Sequence, residues 1–199
     1  MLSKSLYIKG LKCQKLLWLN KHNKAVLTPP NADTNARFDQ GNTVGGLACS
    51  LFSDGLEVPF DGTTFNQKIA LTREWLGMDI ESIFEATFEF DGVLVMIDVL
   101  SRSSGGGFEI YEIKSSTHAK DSYIQDAAIQ YYVLKNLGYF VYKTYITILN
   151  KDYIRGDDLD VEQLFTHVDV TDDVIALQDD IPYCLDRFRE VLENTNEAD

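Results

Sequence analysis

Three charged residues near the middle of the chain, Asp98, Glu112 and Lys114, have the types and spacing that phosphate chemistry uses. Asp98 interrupts an apolar, β-branched run, where a carboxylate without a partner is very costly. Glu112 and Lys114 are two positions apart in an alternating segment, so on a strand they share one face. Carboxylate oxygens bind Mg²⁺, and a neighbouring lysine can orient water and stabilise charge on a phosphate. The pattern favours a metal-dependent phosphodiester-cleaving site; the alternative is a structural ion pair.

The segments that carry these residues are predicted to form a β-hairpin. Residues 93–100 form a strand that is buried on both faces, and residues 108–114 form the return strand. The glycine-rich stretch at residues 103–107 provides the turn between them. Pairing through this turn places Asp98 beside Glu112.

The remaining segments predict helices around a sheet. Helices are expected at residues 3–20, 42–51, 63–76, 121–137 and 183–192, strands at 83–90 and 140–149, and an extended linker at 27–36. This order of elements predicts an α/β fold with a mixed central sheet and helices packed on it.

Composition limits the class of protein. The chain has 199 residues, of which 45% are hydrophobic and 25% charged, as expected for one folded core. Three cysteines are too few for a disulfide framework. The longest apolar run, residues 93–97, is too short to cross a membrane. We therefore expect a soluble, cytoplasmic protein that does not bind membranes.

Charge is distributed unevenly along the chain. The net charge of −13 argues against a nucleic-acid partner. However, residues 1–24 contain six lysines and no acid, whereas residues 151–199 contain 15 of the 31 acids. A local basic patch can bind a polyanion because salt screens charges beyond roughly 8–10 Å. Solvated surface faces are the alternative reading of both regions.

The ordered motifs resemble the PD-(D/E)XK nuclease superfamily, and within it the RecB-type branch that includes CRISPR-associated exonucleases. The resemblance rests on a strand acid, a hairpin and the Glu112-Ile113-Lys114 triplet, with supporting segments at residues 13–19, 38–45, 85–88 and 126–132. It implies a restriction-endonuclease-like fold over residues 1–175. Residues 176–199 would form an acidic C-terminal helix and tail, or the start of a further region.

The resemblance also implies roles for individual residues. Asp98 and Glu112 would be metal ligands, together with the backbone carbonyl of Ile113. Lys114 would be the catalytic lysine, and Gln130 would support the site or contact DNA. The metal would be Mg²⁺ or Mn²⁺.

Three positions near the site differ from the family pattern or admit another reading. Many RecB-type nucleases carry a histidine on the second helix, where this chain has Gly45. Glu85 would supply an oxygen ligand in place of that histidine; the alternative is that Glu85 is a glutamate at a strand edge. Asp126 shares a helix face with Gln130, with an exposed polar stripe as the alternative. Tyr131, next to Gln130, would contact DNA.

The cysteines and lysines complete the comparison. Some relatives bind an iron–sulfur cluster through four cysteines; Cys13 matches the first ligand, but only Cys184 lies near the C-terminus, so we expect no cluster in this chain. Lysines of the opening helix would hold the DNA backbone, and binding would weaken steeply with salt. These lysines are Lys4, Lys9, Lys12 and Lys15.

The sequence thus predicts a Mg²⁺- or Mn²⁺-dependent, exonuclease-like deoxyribonuclease that acts in DNA repair, recombination or defence. The alternative is a catalytically inactive module that keeps the nuclease fold and binds nucleic acid or protein. In either case the acidic C-terminal region is a candidate surface for a protein partner.

Overall fold

A computed structural model describes residues 1–195 as a mixed α/β fold. Within these residues the strands are β1 (Leu2–Ser3), β2 (Leu56–Glu57), β3 (Ser82–Phe90), β4 (Val93–Arg102), β5 (Phe108–Lys114), β6 (Val141–Leu149) and β7 (Phe165–Asp169). The α-helices are α1 (Lys4–Lys12), α2 (Gln14–His22), α3 (Ala32–Cys49), α4 (Phe65–Leu76), α5 (Asp121–Asn136), α6 (Val161–Leu164), α7 (Thr171–Ala176) and α8 (Asp180–Glu193). The predicted fold class, a mixed sheet flanked by helices, is confirmed.

The sheet has the order β2-β3-β4-β5-β6-β7, and β1 pairs with β4 beside this path. The pairs β3–β4, β4–β5 and β6–β7 are antiparallel, whereas β1–β4, β2–β3 and β5–β6 are parallel. The tight β3–β4 turn uses Asp91 and Gly92, which both have positive φ, the geometry that a two-residue hairpin favours. The predicted central hairpin is therefore β4–β5, with β3 on its other side.

Helices cover both faces of the sheet. The main core lies between the sheet and the helices α1, α2, α5, α7 and α8, and includes Leu17, Ile97, Ile129 and Leu185. A smaller apolar cluster beneath α3 contains Val99, which lies on the face of the sheet opposite to its neighbour Leu100. Within residues 1–195, no helix has the length and apolar character that a membrane crossing needs.

One edge of β4 is shared by two partners. β3 pairs along almost the whole of one edge of β4, so the other edge serves both β1 and β5. β1 pairs with Val93 and Leu94, whereas β5 pairs with residues from Val99 to Arg102. The sheet is therefore forked between these two stretches. Because α1 begins immediately after β1, the chain enters α1 at the fork.

The pairing of β3 with β4 is interrupted at the same level. Phe84 pairs with Val99 and Ala86 with Ile97, but Glu85 and Asp98 between them are not paired. Glu85 has a φ of 55°, an uncommon value for a residue with a side chain. The core-facing residues also change phase here: Ile97 and Leu100 both face the main core although they are three positions apart. This irregularity places two acids beside the fork.

Several predicted bounds differ from the structure. The helix expected at residues 3–20 is two helices, because the backbone at Cys13 is extended (φ −168°, ψ 121°). The break allows Tyr7 and Leu17 both to enter the main core, which one straight helix with an imperfect apolar stripe would not do. The linker expected at 27–36 contains the first turn of α3, where Asn31 accepts a hydrogen bond from the N–H of Thr34.

Other elements lie close to their predicted places or were missed. The expected helices at 63–76 and 121–137 are α4 and α5, and the expected strand at 140–149 is β6. β1, β2 and β7 were missed because strands of two to five residues give too short a pattern. The division at residue 175 stays a prediction; α8 beyond it packs into the main core, and residues 196–199 of the expected tail lie outside the described residues.

The contact between α1 and α8 yields a stability prediction. A Cβ at Gly10 would lie 2.8 Å from ring carbons of Phe188, which is 3% exposed and stacked edge-on against Tyr7. Gly10→Ala should therefore lower the free energy of unfolding by about 1–3 kcal/mol, although alanine is the better helix former. Urea unfolding followed by circular dichroism measures this change.

Gly46→Ala is the matched control, because Gly46 is an exposed helical position with open space around it. This substitution should raise the free energy of unfolding by about 0.5–1 kcal/mol. If both variants were stabilised to the same extent, the packing of Phe188 over Gly10 would be wrong.

Candidate active site

The candidate site lies where the sheet forks, and four elements supply its side chains. Asp98 comes from β4, Glu112 and Lys114 from β5, and Lys4 from the first turn of α1. Asp126 and Gln130 come from α5, which packs against β4, β5 and α1. The structure thus brings together the central predicted residues, Asp98, Glu112, Lys114 and Gln130, and adds Lys4 to them.

Glu112 is at the centre of the site and is only 1% exposed. Lys4 Nζ donates to both of its oxygens, at 3.1 Å to Oε1 and 3.0 Å to Oε2. Lys114 Nζ donates to Oε1 at 2.5 Å, and Gln130 Nε2 donates to Oε2 at 2.6 Å. These four hydrogen bonds, all charge-assisted because a carboxylate accepts them, replace the water that the buried group has lost.

Asp98 is held by the backbone of the neighbouring strand. Its Oδ2 accepts a hydrogen bond of 2.7 Å from the N–H of Ile113. The β4–β5 ladder ends at the Val99–Tyr111 pair, so this side chain bonds β5 where the backbone pairing has stopped. Ile113, predicted to offer its carbonyl to a metal, therefore contributes its N–H to the positioning of Asp98.

Asp126 is a member of the same ion-pair network. Lys114 Nζ lies 2.7 Å from Oδ2 of Asp126, and Lys4 Nζ lies 3.3 Å from Oδ1. Within the described residues, Oδ1 of Asp126 and Oε1 of Gln130 are buried and accept no hydrogen bond. Oδ1 of Asp126 thus has an ion-pair contact with Lys4 but no hydrogen bond, and the reading of Asp126 as part of an exposed polar stripe is wrong.

Burial and crowding shift the pKa values of the acids in opposite directions. Burial and the nearby Glu112 carboxylate raise the pKa of Asp98 to about 7, and the same two causes raise that of Asp126 to about 6. Burial alone would raise the pKa of Glu112 as well, but the ammonium groups of Lys4 and Lys114 outweigh it and lower the value. Glu112 therefore stays ionised, whereas Asp98 and Asp126 lose their protons only at higher pH than an exposed aspartate; once all three are deprotonated, they outnumber the two lysines.

Glu85 lies beside this cluster at the interrupted pairing of β3 with β4. It is half-buried, and its pKa is raised by burial and by the charge of Glu112, while Lys4 acts to lower it. The positive φ of Glu85 costs on the order of 1–3 kcal/mol, a strain that is found at functional positions in many proteins. Glu85 is thus within electrostatic reach of the site, as the proposed additional ligand must be.

The predicted DNA-contacting residues are separated by the structure. Lys9 donates to Oδ1 of Asn20 at 2.7 Å and so lies against α2. Lys12 on α1 and Lys15 on α2 are exposed, and Tyr131 packs against the main core. Lys4 lies inside the carboxylate cluster, a position that its sequence neighbours did not indicate. Contact of these residues with DNA stays a prediction.

The donor set is compatible with a hard divalent cation. The acidic side chains offer carboxylate oxygens, the ligands that Mg²⁺ and Mn²⁺ prefer. One of these oxygens, the buried Oδ1 of Asp126, accepts no hydrogen bond. Among residues 1–195, no three acidic, histidine or cysteine side chains are already arranged around a common metal position. Both oxygens of Glu112 accept hydrogen bonds, so a metal ion that bound there would replace at least one of these donors.

Comparisons with known proteins do not assign the chain to a family. No family model matches it, and no curated protein matches it. A solved structure titled "Crystal structure of SSO0001" is 12% identical in an alignment that covers 94% of this chain and 88% of that chain, with a TM-score of 0.30. A similarity at this level carries no argument about the site.

The raised pKa of Asp98 predicts how stability depends on pH. An unfolded aspartate has a pKa of about 3.9. The folded protein therefore holds the Asp98 proton more tightly, and this contribution to stability is lost as pH rises through about 7. The unfolding free energy of Asp98→Asn minus that of wild type should therefore increase by roughly 1–3 kcal/mol from pH 5 to pH 8, because only wild type loses the contribution of the Asp98 proton. Urea unfolding in metal-free buffer at each pH measures the difference. A difference that stays constant across this range would contradict the assignment.

Proposed function

We propose that this protein is a Mg²⁺- or Mn²⁺-dependent deoxyribonuclease that hydrolyses DNA phosphodiester bonds. The observation that carries this proposal is the convergence of Asp98, Glu112 and Lys114 at the fork of the sheet. A structural ion pair would need one acid for one lysine. Here the carboxylates outnumber the lysines, which is the condition under which a divalent cation is bound.

Each side chain has a role that its surroundings support. Asp98 and Glu112 would hold the cation, with Glu85 as a further oxygen donor. When bound, the cation would polarise the phosphate and lower the pKa of a coordinated water. The Lys114 ammonium would orient the attacking water and stabilise negative charge on the phosphate. Gln130 would keep the Glu112 carboxylate in a fixed orientation through its 2.6 Å hydrogen bond.

The resemblance of the ordered motifs to RecB-type nucleases supports DNA as the substrate and a cytoplasmic role in repair, recombination or defence. The lysine-rich segment at residues 1–24 would supply the electrostatic attraction for the backbone. A second candidate is a catalytically inactive nuclease-fold module. It is favoured by the hydrogen bonds that occupy both oxygens of Glu112, since a ligand to a metal must exchange at least one of them.

Activity measurements separate the two candidates. Linear single- and double-stranded DNA should be degraded in Mg²⁺ or Mn²⁺, and Lys114→Met and Asp98→Asn should each lower the rate by about a hundredfold or more. The reason is that each substitution removes a group that contacts the reacting phosphate, the water or the cation. The readout is the release of acid-soluble or labelled nucleotides.

Lys143→Met is the matched control, because Lys143 lies on the adjacent strand β6 and pairs with Asp169 away from the site. Its activity should stay within about twofold of wild type. Cleavage that is equal in all four proteins would come from a contaminant, and no cleavage by wild type in either metal would favour the inactive module.

A further inference from the structure

Lys4 is a charged side chain of the site that the proposed reaction does not use. The short pairing of β1 with Val93 and Leu94 directs the chain to the fork, and Lys4 is the first residue after it. Its side chain is only 20% exposed, and its ammonium lies 3.0 Å from Glu112 Oε2 and 3.3 Å from Asp126 Oδ1. A cation is thus built into the space between these two acids.

The charges of the cluster indicate how many further cations it can accept. Four carboxylates are grouped here, those of Glu85, Asp98, Glu112 and Asp126. The ammonium groups of Lys4 and Lys114 offset half of their negative charge. With all four carboxylates deprotonated, the form in which they bind a metal ion, the remainder equals the charge of a single divalent ion. A second divalent ion would make the cluster positive unless one ammonium group left.

The contacts of Lys4 also occupy a particular place. Phosphodiester-cleaving sites with two metal ions use carboxylates that contact both ions, which lie about 3.5–4 Å apart. Glu112 is a ligand of the proposed ion and lies beside Asp126, so a second ion between these two acids would share Glu112 with the first. The Lys4 ammonium contacts both Glu112 and Asp126. Lys114 contacts the same two acids from β5, so it cannot take over the place of Lys4 without leaving its own.

Building on the proposed function, we propose that Lys4 is the fixed second cation of this site. Its ammonium occupies the position between Glu112 and Asp126 that a second metal ion would take, so the protein binds one divalent ion per chain. Removal of this ammonium uncovers the buried Oδ1 of Asp126. It also takes one hydrogen-bond donor away from each oxygen of Glu112. The site then gains the ligands and the net charge for a second ion.

A count of bound Mn²⁺ tests this proposal without reference to activity. Full-length protein is titrated with Mn²⁺, and free Mn²⁺ is measured by electron paramagnetic resonance. Wild type should bind one ion per chain, and Lys4→Met should bind two. Lys4→Arg keeps the positive charge and should bind one. Lys12→Met, which removes an exposed lysine from the same helix, should also bind one.

The outcomes distinguish this inference from the proposed function. Two ions bound by wild type, or one ion bound by a folded Lys4→Met, would overturn the role of Lys4 and leave the metal-dependent function standing. No ion bound by wild type would overturn both. Circular dichroism establishes that Lys4→Met is folded, and if it is not, the wild-type count of one or two still decides the proposal.

Discussion

The buried carboxylate of Glu112 is the constraint on which the arrangement of the site depends. At 1% exposure it has lost its water and needs donors on both oxygens. Those donors come from three elements: Lys114 on the same strand, Lys4 on α1 and Gln130 on α5. The two helices therefore cannot shift relative to β5 without leaving a buried charge unpaired. Loss of one partner from a buried ion pair costs about 3–5 kcal/mol of stability in other proteins.

The fork of the sheet makes this arrangement possible. A continuous ladder between β4 and β5 would place backbone groups where the acids now stand, and would leave no room for a side chain to enter between the strands. The ladder instead stops at Val99, and the Asp98 side chain makes the next bond to β5. On the other edge of β4, the unpaired Glu85 marks the same level of the sheet. Interrupted strand pairing next to a site of this kind aims side chains that a regular strand would point elsewhere.

The sequence predicts the centre of the site better than its surroundings, and the reason is the range of the interactions. The shared face of Glu112 and Lys114 follows from strand alternation, and the cost of burying Asp98 marks it as partnered. Lys4 could not be placed, because its contact with Glu112 spans 108 residues and depends on a two-residue strand. The break at Cys13 was missed for a similar reason: the backbone turns there so that α1 and α2 can both pack under α8.

The packing of α8 also changes the interpretation of the acidic C-terminal region. Phe188 of α8 stacks on Tyr7 and covers Gly10 of α1, and the Trp18 indole of α2 donates to the Asn194 carbonyl at 2.7 Å. The apolar face of α8 is thus used within the chain, to hold the helix that carries Lys4. What α8 leaves for a partner is its outer face, where the acidic side chains lie. A protein partner for this region stays a prediction, but the packing shows that the apolar face of α8 is not the surface it would use.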